Sequence, residues 1–141
     1  KKSKLTEEEF AYIRAHPSDG AEILESIPTL QHLTTGARYR HERWDGSGYP
    51  EGLSGGHIPM VALTMAVCDA YDAMTSRRAY RDARAHAPAM AEIARCSAVH
   101  FGPTGVEAFL SVPEEAFEGA RAVELERKAT YKRERPQRQA V

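Results

Sequence analysis

Apolar residues recur at helical spacing along nearly the whole chain. Thr6 and Glu9 form a capping-box pattern ahead of Phe10 and Ile13. Pro17 is expected to close this first helix, because the residue before a proline is pushed out of the α region. That places His16 at a helix end. A second helix is expected from about Ser18, carrying Ala21, Ile23, Leu24 and Ile27, until Pro28 breaks it. A third starts there, with Leu30, Leu33 and Ala37 on one stripe whose next position is His41.

From Trp44 to Pro59 the pattern changes: five glycines, two prolines and no helical period. This reads as one long ordered loop anchored by Trp44 and Tyr49, and loops of that length inside a domain are commonly functional. Met60 to Met74 is apolar almost all round, as in a central buried helix, yet it carries Asp69 and Asp72. Further helices are expected near Pro88–Ala98 (Met90, Ile93, Ala94), from Pro103 (Val106, Phe109, Leu110) and from Pro113. The last runs into a basic, Pro/Gln-rich end from Arg127, which is expected to fray. The fold class is all-α, with residues 1–112 as the main domain and 113–141 as a C-terminal helix and basic tail.

Composition narrows the function classes. A chain of 141 residues with net charge −1 and 42% hydrophobic content has room for a real core. A charge so near zero argues against binding a nucleic-acid polymer. No apolar run is long enough to span a membrane. The chain opens on Lys1-Lys2-Ser3-Lys4 and passes straight into a helix signal, with no signal peptide and no initiator Met. It therefore reads as a piece of a longer protein. Cys68 and Cys96 lie in apolar helical sequence and read as buried, reduced thiols of a cytoplasmic protein.

The candidate chemistry centres on RYRHERWDGSGYP, residues 38–50. Asp69 on an apolar helix is costly unless it is ion-paired, with Arg40 or Arg43, or bound to a metal. Asp72 lies near the same face or caps the following turn. His41 and His16 each read as a packing histidine or a ligand. His32, His57, His86 and His100 have no patterned companions and read as surface or packing residues. Arg78 and Arg81, in TSRRAYR, suit phosphate oxygens or a solvated turn. Imidazoles and carboxylates from separate helices are what an iron, manganese or zinc site in a helical protein uses.

The stretches KLTEEEF, HPSDGAEIL, HERWDGSGYPEGLSGGHIP, AVCDAYDAMTSRRAYR and FGPTGVEAFL, in that order over residues 1 to about 110, resemble the HD-GYP family. These are bacterial metal-dependent phosphodiesterases that hydrolyse cyclic di-GMP in second-messenger signalling. The resemblance implies an HD-type helical bundle, truncated on its N-terminal side. It implies a GYP loop containing Trp44, Asp45, Gly46, Gly48, Tyr49 and Pro50. It makes His16, His41 and Asp69 metal ligands, with iron, manganese or zinc as the cofactor of the intact domain, and gives Arg78 and Arg81 contacts to substrate phosphates.

Two departures accompany it. The family has two adjacent ligand histidines before the glutamate; here the first is Arg40. The family's His-Asp pair and an earlier ligand histidine lie upstream of Lys1, and nothing in residues 1–15 replaces them. This chain by itself is therefore expected to hold no metal tightly and to be inactive, whether or not the intact protein is an enzyme. The alternative is a degenerate module that senses the nucleotide or docks a GGDEF-type partner through Trp44 and Tyr49. Two structural expectations follow: Arg40 pairs with Asp69, and an uncovered apolar groove drives homodimerisation.

Overall fold

In the computed structural model, which describes residues 6–76 and 82–134, helix α1 spans Glu7–Glu25. Its start is the expected capping box. The Thr6 hydroxyl accepts from the Glu9 amide at 3.2 Å, and the Glu9 carboxylate accepts from the Thr6 amide at 2.8 Å. The break expected at Pro17 does not occur, and α1 runs straight through it. A proline inside a helix costs about 3 kcal/mol through its lost hydrogen bond and its ring clash. Pro17 is fully buried, as is Ala21 one turn later, so packing of this face overrides the local preference.

After Pro28 the chain makes a 3₁₀ segment, Pro28–Leu33, before the short helix α2, Thr34–Tyr39. The single third helix expected from Pro28 is thus two elements, and His41 lies in the turn beyond α2 rather than on its stripe. Gly36 lets α2 approach α3 (Met60–Thr75) closely, because a Cβ there would collide with the Met65 sulfur. The expected loop follows, interrupted by a 3₁₀ turn at Gly55–His57.

Helix α3 organises the first unit, packing against α2, α4 (His86–Arg95) and α5 (Pro103–Leu110). Ala62, Leu63, Ala66, Val67 and Tyr71 are buried. Ile58, Ala62 and Leu63 form a cluster on which Tyr39, Trp44 and Leu53 pack. The rest of the core comprises Ala89, Ile93, Phe101 and Val106. Full burial of a side chain such as Ile93 contributes about 1.5–3 kcal/mol.

The all-round burial expected of α3 is not observed. Met60, Val61 and Met65 are exposed, and so are Cys68, Asp69 and Asp72. Of the two expectations for this helix, burial all round and an uncovered apolar groove, the exposed Met60, Val61 and Met65 match the second. The reading of Cys68 as a buried thiol is corrected accordingly; Cys96 is partly buried. Further apolar residues are exposed at Tyr12, Ile23, Ile27 and Leu33.

The chain divides into two units, 1–110 and 111–141. In the second, α6 spans Glu114–Glu134, with Glu114 and Glu115 placed to favour the helix N-terminus. It continues past Arg127, where fraying was expected, through the strong helix formers Glu126, Arg127 and Ala129. Among the described residues there is no β-strand, only an isolated bridge between Ser97 and Phe101. No helix among them is long and apolar enough to cross a membrane. Arg78 and Arg81, the expected phosphate contacts, lie outside the described residues.

Candidate metal centre

His16 and His41 are brought together. His16 projects from within α1, one residue before Pro17, and its Nδ1 donates a hydrogen bond to the carbonyl of Ile13. A carbonyl only accepts, so the proton sits on Nδ1, and the Nε2 of the neutral ring carries a lone pair. That Nε2 lies 3.1 Å from Nε2 of His41. The two rings meet edge to face with centroids 4.9 Å apart. Tyr49 from the loop stacks on His41 at 5.1 Å and meets His16 edge-on at 6.4 Å. Residues from α1, the turn after α2 and the loop thus converge on one point.

The surroundings of His41 favour neutral imidazole. Burial is the largest influence lowering the pKa of His41 below 6.5. Arg40, His16 and His100 act in the same direction, and Asp69 opposes them. A neutral imidazole is the form that ligates a metal. Burial also raises the pKa of the Tyr49 hydroxyl, against the pull of Arg40 and Arg14.

Asp69 acts on this pair from α3. It lines an open cavity of about 390 Å³ with Arg40, Met65, Cys68 and Asp72. The expected Arg40–Asp69 ion pair is not formed. The Arg40 guanidinium donates instead to the carbonyl of Ala37, and Asp69 is exposed, so water satisfies the carboxylate that an all-round apolar helix would have left stranded. The other partner considered, Arg43, pairs with Asp45 at 3.0 Å. Asp72 accepts from the Ser76 hydroxyl at 2.8 Å.

The loop is built around a residue that sequence reasoning passed over. Glu42 is 1% exposed. Its Oε1 accepts from the amides of Glu51 at 2.7 Å and Gly52 at 3.1 Å, while Oε2 is buried without a hydrogen-bond partner. The carboxylate draws the far side of the loop back onto the turn that carries His41. The available signal was the length of a polar loop whose amides needed an acceptor.

The remaining loop residues have local tasks. Asp45 accepts from Arg43 and from the amide (2.9 Å) and hydroxyl (2.6 Å) of Ser47. These bonds, the Arg43 bond foremost, hold its pKa well below the usual carboxylate range. Gly46 has φ +80, a conformation that favours glycine. A Cβ on Gly48 would run into the backbone of Glu42 and Arg43. Tyr49 precedes Pro50 through a cis peptide bond. Trp44 turns inward onto the α3 cluster. Its amide donates to the His100 carbonyl, and its carbonyl accepts from Gly55, both at 3.0 Å.

The histidine pair can be tested against a metal. Two nitrogens each 2.0–2.1 Å from one ion stand roughly 3.0–3.4 Å apart at ordinary ligand angles, and the observed 3.1 Å falls in that range. His16 also has the second hydrogen bond that ligating histidines characteristically make through their other ring nitrogen. Among the described residues, however, no group of three or more His, Cys, Asp or Glu side chains stands close enough to hold an ion. The pair fits as two ligands of a larger set, with Asp69 nearby but not in contact.

The HD domain family model matches residues 1–105. A cyclic di-GMP phosphodiesterase of Vibrio cholerae is 43% identical over 123 residues, covering 81% of this chain and 25% of the relative. One of Thermotoga maritima is 43% identical over 113 residues, covering 79% of this chain and 31% of the relative. The 3'3'-cGAMP-specific phosphodiesterase 2 of Vibrio cholerae is 35% identical over 112 residues, covering 78% of this chain and 22% of the relative. The chain thus spans between about a fifth and a third of the length of these curated relatives. It belongs to the HD domain family, as one of its HD-GYP members.

Proposed function

We propose that this chain supplies part of the active site of a metal-dependent phosphodiesterase that hydrolyses cyclic di-GMP in the cytoplasm of a bacterium. The observation that carries this reading is the convergence of the His16 and His41 Nε2 atoms at 3.1 Å, with the His16 tautomer set by the Ile13 carbonyl. His16, His41 and Asp69 would hold the ion (iron, manganese or zinc), which when bound lowers the pKa of a water and offsets charge on the phosphate. Tyr49 orients His41 by stacking. Arg78 and Arg81 would take phosphate oxygens. In the full-length protein, His16→Ala and His41→Ala are each expected to lower bound metal and cyclic di-GMP hydrolysis together. Unchanged metal content in both variants would overturn the assignment.

Arg40 favours a second reading, in which the chain belongs to a module that binds the nucleotide without hydrolysing it. A guanidinium stays charged and cannot ligate, and here it lines the cavity beside Asp69. Such a module would bind cyclic di-GMP in the absence of any metal, whereas the enzyme reading requires turnover. A GGDEF-type partner could dock on the loop through Tyr49; Trp44 is engaged with the core and offers less as an anchor. The exposed apolar residues of α3, Met60, Val61 and Met65, favour self-association, which light scattering of the chain would detect as a dimer.

A further inference from the structure

We propose that Pro17 is a positioning residue for His16, acting through the hydrogen bond it cannot make. In an α-helix the amide of residue 17 would donate to the carbonyl of Ile13, four residues earlier. Pro17 lies inside α1 and has no N–H. The Ile13 carbonyl is thereby left to another donor, and the donor it receives is Nδ1 of His16. Helical side chains lean toward the N-terminus, which brings the ring of residue 16 back over the preceding turn.

The consequence is chemical. With Nδ1 held protonated, the lone pair of His16 is on Nε2, the atom directed at His41. Any residue other than proline at position 17 would bring an amide proton to the same carbonyl and weaken its hold on the imidazole. The ring could then exchange tautomers, and Nε2 would carry a proton part of the time. Proline at this position thus makes a ligand-ready imidazole out of an interruption in the helix ladder. This inference deepens, and rests on, the reading of His16 and His41 as metal ligands.

The test is nitrogen NMR of the metal-free chain, labelled at histidine, combined with titration of Zn²⁺ into the full-length protein. In the wild type, His16 is expected to show a protonated Nδ1 and an unprotonated Nε2. Pro17→Ala should shift His16 toward a tautomer mixture and weaken Zn²⁺ binding by about tenfold, as loss of such an outer partner does. It should change the thermal midpoint little, because the regained helix hydrogen bond offsets the packing lost with the buried ring. A merely structural proline would instead lose binding and stability together. Replacing Pro17 by N-methylalanine, which also lacks an N–H, should keep the wild-type tautomer.

A protonated Nε2 on His16 in the wild type would overturn the proposal even if Pro17→Ala failed to fold. So would an unchanged tautomer in a folded Pro17→Ala. Failure of the metal reading looks different: the full-length wild type would bind no Zn²⁺, or its His41→Ala variant would bind it equally well, while the tautomer result still decides the role of Pro17.

Discussion

Arg40 and Asp69 line the same cavity between α2 and α3 without forming an ion pair. Their charges meet across solvent, and exposed opposite charges typically couple by under about 1 kcal/mol. In a double-mutant cycle of Arg40→Ala and Asp69→Asn, the two effects on unfolding free energy should therefore be nearly additive. A coupling of about 3 kcal/mol or more in urea melts would restore the buried pair that the apolar sequence of α3 had suggested.

The same guanidinium should oppose a cation at the histidine pair. A unit charge and a divalent ion several ångströms apart repel by about 1–3 kcal/mol in a solvated site. In the full-length protein, Arg40→Gln should raise Zn²⁺ affinity on the order of tenfold by removing that charge. Arg40→His should raise it further by adding a ligand. Calorimetric titration beside metal analysis separates the two contributions.

Glu42 holds the loop closed through two backbone amides from a fully buried position. Hydrogen bonds to a charged group contribute about 1.5–3 kcal/mol each, and their loss would release the Glu51 and Gly52 amides to water. Glu42→Ala should destabilise the fold by about 3 kcal/mol, read from chemical denaturation. It should also loosen Tyr49 from His41, visible as loss of the ring-current shifts on the His41 protons.

Much of this arrangement was legible in the sequence. The capping box at Thr6, the extent of α3, the start of α5 and the ordered loop all rest on local chemistry, and local chemistry is written in adjacent residues. The misreadings share a different cause. Pro17 carries a strong local signal to stop, but its ring is buried and α1 continues. Asp69 seemed stranded because α3 is apolar on every side, yet one side faces water. Glu42 was missed because its partners lie nine and ten residues away, on loop amides that no side-chain pattern reveals. His16 and His41 were each ambiguous alone. Their meeting, 25 residues apart, is a property of how α1 and α2 pack.

His100 provides a pH test at a residue that is not itself a proposed ligand. Its pKa is lowered from 6.5 chiefly by burial and then by the charge of Arg43, against the opposing influence of Asp45. A histidine that binds its proton less tightly in the folded state than in the unfolded state imposes no penalty above about pH 6.5. Its penalty grows as pH falls below that value toward the folded pKa. Stability should therefore decline as pH drops from neutral through 6.5. His100→Gln should reduce that slope without abolishing it, since His41 is shifted in the same direction. Unfolding free energies measured between pH 5 and 8 give the comparison.

The bonds that tie Trp44 to His100 and Gly55, and Glu42 to Glu51 and Gly52, have a thermodynamic consequence for whatever enters this site. The 44–57 backbone is already committed to one shape before a ligand arrives. Association then forfeits little chain entropy, a saving that a loop folding around its ligand would not have. Under the function proposed above, selectivity among cyclic dinucleotides would accordingly reside in rotamers and charges displayed on a fixed frame, so a changed preference would come from replacing side chains such as Tyr49 rather than from altering the length of the loop.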